Sequence, residues 1–198
     1  MKLISIEGPD GVGKSTLVQN LKAYYGDIGL NVEYVHFPRY GTRVGQVIKD
    51  VLFSHEKMDP RAFQMLYSAD RINFTKISIP QFEEYMNILL VDRYISSGMV
   101  YGQLGGINPK DILFFEKDVR KPDINIILTA SVKTLVGRMN YKIQDMFETY
   151  DNMKKVVNYY NNVNKYLKCK HSKIIETDDI NSYHVYKIAR AYINEFIK

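Results

Sequence analysis

The stretch Gly8-Pro9-Asp10-Gly11-Val12-Gly13-Lys14-Ser15-Thr16 leaves this chain few folds to choose from. Gly8, then four residues, then Gly13, Lys14 and Ser15 have the spacing of a loop that wraps phosphate. Glycines let backbone N–H groups turn inward onto phosphate oxygens. A lysine at this position reaches β- and γ-phosphates, and the serine hydroxyl is a Mg²⁺ ligand. Such a loop must leave a buried strand and open a helix. Leu3-Ile4-Ser5-Ile6 supplies the strand. Leu17, Val18 and Leu21 continue on one helical face after Lys14, and the positive end of that helix points at the phosphates. A chance glycine-rich turn would lack these flanks.

Further strands are predicted at Val32–His36, Ile88–Asp92, Asn125–Thr129 and Lys173–Glu176, after the first at Lys2–Ile6. Each precedes a helical stretch, and that alternation argues for a parallel sheet covered on both faces. The short apolar runs suit strands buried on two sides. Ligands of such sheets lie beyond the carboxyl ends of the strands, so the strand ends are where chemistry is expected.

The second strand runs into Phe37-Pro38-Arg39-Tyr40-Gly41, where Arg39 and Tyr40 project past its end. A helix is predicted over about Thr42 to Phe53. Another starts near Asp59-Pro60, with Asp as cap and Pro in the first turn. Its pattern runs through Phe63, Leu66, Tyr67, Asp70, Arg71, Phe74 and Ile77. Tyr67 and Arg71 are four apart and share a face, which suits either stacking and edge recognition of a base or a core Tyr beside a surface Arg. The third strand ends in Asp92-Arg93-Tyr94. A carboxylate there can hold Mg²⁺ and the arginine can clasp a phosphate; a plain ion pair is the other reading. Helices are predicted near Val132–Met139 and at the carboxyl end. Between Asn140 and Asp145 the pattern breaks, as in a short lid or an ordinary loop. The apolar stripe Tyr150, Met153, Val157, Tyr160 and Leu167 reads as core packing.

Composition adds limits. The 198 residues suit one domain, and 45% hydrophobic with 25% charged residues is ordinary for a globular protein. No apolar run reaches membrane-spanning length, and neither a signal peptide nor an anchor is expected. The single cysteine, Cys169, excludes an internal disulfide and fits a reducing, cytoplasmic setting. The four His residues lack metal-ligand spacing. A formal charge of +5 could suit nucleic acid, but the lysines between Lys154 and Lys173 read as a solvated helix face, and neither a nucleic-acid nor a membrane partner is expected.

Taken together the chain resembles the thymidylate kinases, nucleoside monophosphate kinases with a phosphate-binding loop. The matching pieces are Glu7 to Thr16, Phe37-Pro38-Arg39-Tyr40-Gly41, Leu66-Tyr67-Ser68-Ala69-Asp70-Arg71, Asp92-Arg93-Tyr94 with Ser97, Gly98 and Tyr101, and Lys121-Pro122-Asp123. They run in order along nearly the whole chain. The resemblance implies an α/β, three-layer P-loop NTPase fold. Its five-stranded parallel sheet would have the order 2-3-1-4-5 and helices on both faces. One domain, residues 1–198, would carry a short lid around 138–148, and the protein would be a homodimer.

The implied reaction moves the γ-phosphoryl group of ATP, with Mg²⁺, to dTMP. Gly8, Asp10, Gly11, Val12, Gly13, Lys14, Ser15 and Thr16 would hold the ATP phosphates, helped by Arg138 and Lys142. Ser15 and Asp92 would hold the metal. Asp10 would bond the acceptor's 3′-hydroxyl, and Arg39, Tyr40 and Arg93 would surround its phosphate. Tyr67 would stack on thymine, where the family usually has Phe, and a buried Tyr hydroxyl needs a partner. Arg71 would reach the base edge, Pro38 would border its methyl group, and Tyr101 would crowd out a 2′-hydroxyl. Gly98 and Phe147 complete the acceptor side. The loop has no Arg after its Asp, and only Arg138 and Lys142 are basic in the lid.

Other activities are weighed against the residues. A deoxynucleoside kinase needs a carboxylate base for its hydroxyl, yet the second strand leads into Arg39. A broader deoxynucleoside monophosphate kinase would share this site. A GTP-binding switch needs Asn-Lys-x-Asp, and Asn164-Lys165 continues into Tyr166 and Leu167.

Overall fold

Strand β1, Lys2–Glu7, is buried along almost its whole length because it lies mid-sheet, between two strands that are themselves fully buried. The computed structural model describes residues 1–54, 57–139 and 149–197. In it β2 (Val32–His36), β3 (Ile88–Asp92), β4 (Ile124–Thr129) and β5 (Ser172–Glu176) join β1 in a five-stranded parallel sheet of order β2-β3-β1-β4-β5. The predicted strands and order are borne out. Ile6 pairs with Asp92 and Glu7 with Ile127, which brings the carboxyl ends of the three central strands to one edge. The edge strands β2 and β5 are only partly buried.

Side chains alternate across the sheet. Ile4 and Ile6 face a cluster with Leu17 and Leu21 of helix α1 (Lys14–Asp27) and with Ala189 and Ile193 of the carboxyl-terminal helix Ser182–Asn194. Leu3, Leu89 and Val91 face the opposite side, against Phe74 and Ile95. Burying one such aliphatic side chain contributes about 1.5–3 kcal/mol.

Between strands, α2 (Arg43–Phe53) is capped by Thr42, whose hydroxyl accepts from the Gly45 N–H at 3.0 Å. Helix α3 (Pro60–Asn73) is capped by Asp59, as its sequence predicts. The helical pattern does not continue regularly to Ile77. A wide helical turn, Phe74–Ser78, intervenes before the short α4 (Ile79–Glu83), and it leaves Ile77 60% exposed. Pro80 has no N–H to extend a regular ladder there. Helices α5 (Ile95–Leu104), α6 (Pro109–Phe115), α7 (Val132–Arg138) and α8 (Tyr150–Asn162) follow, and Ser182–Asn194 is α9. On α8 the buried face is Met153, Val156 and Tyr160, while Tyr150 points outward. The expected lid lies outside the described residues apart from Arg138 and Met139, as do Lys142 and Phe147 themselves. Among the described residues no helix is long and apolar enough to cross a membrane.

Candidate active site

The loop between β1 and α1 takes the shape its glycines permit. Gly8, Gly11 and Gly13 all have positive φ, at 142°, 75° and 104°. A Cβ at Gly8 would collide with the Leu128 carbonyl oxygen, so the loop lies against the end of β4. Ser15 and Thr16 are exposed in the first turn of α1. Lys14 is buried, and its ammonium donates to the Pro9 carbonyl at 2.9 Å and lies 3.8 Å from Asp10 Oδ1. Burial, then the charge of Arg93, bring Lys14 down to about 8 against the pull of Asp10 and Asp92.

Asp10 joins this lysine to Arg93. Arg93 Nη2 donates to Asp10 Oδ1 at 2.5 Å, and Nη1 donates to the Tyr101 hydroxyl at 3.2 Å. Burial pushes the Asp10 carboxyl up, but the charges of Arg93 and Lys14 win and hold it at about 2. Arg93 itself has φ 63°, the left-handed region, although it is not glycine. Its N–H donates to Ile6 O at 3.1 Å, which ties the strained residue to the end of β1. Backbone strain of this kind costs on the order of 1–3 kcal/mol and persists where the surroundings enforce it.

Asp92 precedes it, 1% exposed. Its Oδ2 accepts from the Tyr34 hydroxyl at 3.5 Å, and among the described residues its Oδ1 has no hydrogen-bond partner. A buried carboxylate oxygen without a donor is costly unless something else satisfies it. A hydrated Mg²⁺ is such a partner, and Ser15 offers a hydroxyl at the adjacent loop. The residues present fit the ion.

Arg39 leaves β2 through the Phe37–Pro38 bend and is half-buried. Its guanidinium lies 5.1 Å from the Phe74 ring centre and is fixed by Asp70 on α3. Pro38 is buried beside it, and Tyr40 is half-buried at the rim. Tyr67 is half-buried on α3 and packs edge-on against Phe63, with ring centres 5.0 Å apart. Arg71 is 2% exposed and is not a surface arginine. Its Nε donates to both oxygens of Glu116, at 3.1 and 2.9 Å, and its Nη2 also pairs with Glu116 Oε1. The Ser68 hydroxyl donates to the same carboxylate at 2.8 Å. Gly98 is buried against this group.

Three supports were absent from the sequence reading: Glu116, Asp70 as a clamp, and Glu7 as an anchor. Glu7 ends β1, fully buried. Its Oε1 accepts from the N–H groups of Tyr94 and Ser96, at 2.9 and 3.1 Å. Its Oε2 accepts from the Ser97 N–H and hydroxyl, at 3.1 and 2.6 Å. This caps α5 from outside its own segment. A cavity of about 230 Å³ also went unforeseen. It opens between Gly13 of the loop, Arg138, Thr177, and Asn181 and Ser182 at the start of α9. Arg138 donates there to the Thr177 hydroxyl at 2.8 Å.

The structure thus brings the loop, Arg39, Asp92, Arg93, Tyr67, Arg71, Gly98 and Tyr101 to the ends of β1, β2 and β3. Residues 6–184 match the family model described as thymidylate kinase. A thymidylate kinase of Caldicellulosiruptor saccharolyticus is 35% identical, over 84% of each chain. One from Dictyostelium discoideum is 32% identical, over 79% of this chain and 70% of its own. The solved thymidylate kinase of Candida albicans superposes with a TM-score of 0.81 at 22% identity, covering 98% of this chain and 91% of that one.

Proposed function

The chain belongs to the thymidylate kinase family, and from that premise we propose how its own residues divide the work. The enzyme is an ATP-dependent nucleoside monophosphate kinase that converts dTMP to dTDP, a step towards dTTP. The observation that carries the assignment is Asp10, which bridges Lys14 of the loop to Arg93 of the neighbouring strand end. That bridge supports a donor half and an acceptor half lying side by side.

A dTMP phosphate oxygen is already anionic and needs no base to attack the γ-phosphorus. The work is to hold two anions in line and cancel their repulsion. Lys14 and the loop N–H groups of Gly8 to Thr16 would carry the ATP phosphates. Arg39 and Arg93 would hold the acceptor phosphate, with Tyr40 at its edge. Ser15 and Asp92 would hold Mg²⁺, which, when bound, offsets charge on the ATP phosphates. Asp10 would accept from the 3′-hydroxyl, and Tyr101 would fill the space of a 2′-hydroxyl. Tyr67, Arg71, Gly98 and Pro38 would frame the base. The cavity beside Arg138 and Thr177 would receive the ATP base.

Single-domain organisation, a cytoplasmic setting and a homodimer belong to the same proposal. Sedimentation would test the dimer. Function is tested by coupled ADP release across nucleoside monophosphates with ATP and Mg²⁺. The expected order puts dTMP first, and turnover of thymidine in its place would overturn the reading.

A further inference from the structure

Side-chain alternation puts Tyr34 and His36 of β2 on the sheet face that packs against α1, and Asp92 of β3 on the same face with Ile88 and Leu90. The register pairs Tyr34 with Leu90 and His36 with Asp92, so Tyr34 lies diagonal to Asp92, two residues back from the strand end. A long side chain spans that diagonal. His36, directly opposite Asp92, is exposed. Tyr34 is half-buried, and its hydroxyl donates to Asp92 Oδ2 at 3.5 Å.

Burial, then the charge of Asp92, push the Tyr34 hydroxyl up to about 12. It keeps its proton and meets the carboxylate as a donor. The bond is long for its type, so it gives direction more than energy. Asp92 Oδ1 has no hydrogen-bond partner among the described residues. One phenol thus makes the two oxygens of a buried carboxylate unequal. Among the described residues there is no cluster of three or more His, Cys, Asp or Glu able to take a metal ion. An ion arriving with the ATP phosphates therefore meets a single protein carboxylate, and the orientation of that carboxylate decides what it offers. Groups that fix a metal ligand from behind tune affinity in this way.

We infer that Tyr34 is a positioning residue for Mg²⁺: it holds Asp92 Oδ2 and leaves Oδ1 as the oxygen offered to the ion. The inference rests on the reading of Asp92 and Ser15 as the holders of Mg²⁺. Tyr34 acts through Asp92 alone, and only its hydroxyl carries the effect.

The test uses the full-length enzyme with a non-hydrolysable ATP analogue and Mn²⁺ in place of Mg²⁺, and counts free Mn²⁺ by electron paramagnetic resonance. Tyr34→Phe keeps the ring and removes the donor. It should raise the Mn²⁺ Kd about tenfold, the low end for a residue behind a metal ligand. The Kd of the analogue without metal and the Kd of dTMP should stay unchanged, and Tm should move little. An unchanged Mn²⁺ Kd in the folded variant would overturn the inference. So would tighter Mn²⁺ binding, which would show the phenol competing with the ion. If Tyr34→Phe does not fold, Tyr34→Leu is judged by the same Kd. Asp92→Ala separates the two levels. If it weakens Mn²⁺ binding while Tyr34→Phe does not, only the role of Tyr34 fails. If Asp92→Ala leaves Mn²⁺ binding alone, the reading of Asp92 as a metal holder fails with it. Combined with Asp92→Ala, Tyr34→Phe should add no further loss; an additive loss would place its effect elsewhere and overturn the inference.

Discussion

Arg39 is clamped by Asp70. The Arg39 N–H and Nε donate to the two carboxylate oxygens at 2.8 and 2.9 Å, and Nη2 reaches the Asp70 carbonyl at 3.1 Å. Asp70 has no solvent exposure, so its charge is spent on this arginine. The clamp fixes a long side chain before substrate arrives and spares the entropy of ordering it during binding. Asp70→Asn should leave Arg39 wandering. We expect kcat/KM for dTMP to fall at least tenfold, with the ATP KM changed less than twofold. Steady-state kinetics with each substrate varied in turn decides this; equal losses for both would mean a global defect.

Lys14 and Arg93 are the cations proposed here to flank the path of the phosphoryl group. Removing one preorganised charge contact typically costs about 3–4 kcal/mol of transition-state stabilisation. Lys14→Ala or Arg93→Ala should therefore lower turnover several hundredfold, with a native circular dichroism spectrum. Near-normal turnover in folded Arg93→Ala would remove it from the site.

The strands and their order could be read from the chain because each is a short apolar run ahead of a helix, and the loop because its spacing is local. The supports could not. Glu7 acts on residues 87 to 90 positions away, Glu116 on one 45 away, and Asp70 on one 31 away. No periodicity encodes such partners. Arg71 shows the consequence: its helical spacing with Tyr67 was visible, but its burial depends on Glu116 arriving from just beyond α6. The left-handed backbone of Arg93 is equally silent in sequence, since nothing about an arginine announces it. On α8 the stripe assigned Tyr150 to the core, and Val156 holds buried ground there instead.

The Arg71–Glu116 pair gives a stability test. Both residues are almost fully buried. Breaking such a pair by removing one partner costs about 3–5 kcal/mol, whereas replacing both with apolar residues is often neutral. Glu116→Leu should lower the denaturation midpoint markedly, and Arg71→Met/Glu116→Leu should recover most of the loss. The double variant should still bind dTMP poorly, because the base edge has lost its reader. Recovery of dTMP affinity along with stability would confine Arg71 to a structural role.

Glu7 sets a pH dependence. Burial raises its carboxyl above the ordinary 4.5, against the opposing pull of Ser97 and the Tyr94 N–H. Between the unfolded value and the higher folded one, the native protein holds more protons than the unfolded chain. Stability from this group is therefore greatest at low pH and declines as pH rises through that window. Glu7→Gln cannot titrate. The Tm difference, wild type minus variant, should shrink from pH 4.5 upward and then level off. A difference that grows with pH would show that the four donors outweigh burial.

Sugar choice is the sharpest prediction, and Arg93 makes it more exacting than two independent devices would. In the proposed site Asp10 would offer a carboxylate to the 3′-hydroxyl, and a hydrogen bond to a charged group contributes about 1.5–3 kcal/mol. Tyr101 would offer bulk where a 2′-hydroxyl would sit. Both also hold Arg93, Asp10 through Nη2 and Tyr101 through Nη1, with the guanidinium 5.4 Å from the Tyr101 ring centre. Substitution at either position therefore disturbs Arg93 as well as the proposed sugar contact. Tyr101→Phe separates the effects, since it keeps the ring and removes only the hydroxyl that accepts from Arg93. It should lower kcat on dTMP modestly while keeping the preference for dTMP over its 2′-hydroxylated analogue. Tyr101→Ala should narrow that preference whatever it does to the rate. Asp10→Asn should instead narrow the advantage of dTMP over the 2′,3′-dideoxy analogue. The measurement is kcat/KM for the three acceptors with each variant. If Tyr101→Phe and Tyr101→Ala change the 2′-deoxy preference equally, the hydroxyl and not the ring bulk sets it, and the steric role is wrong.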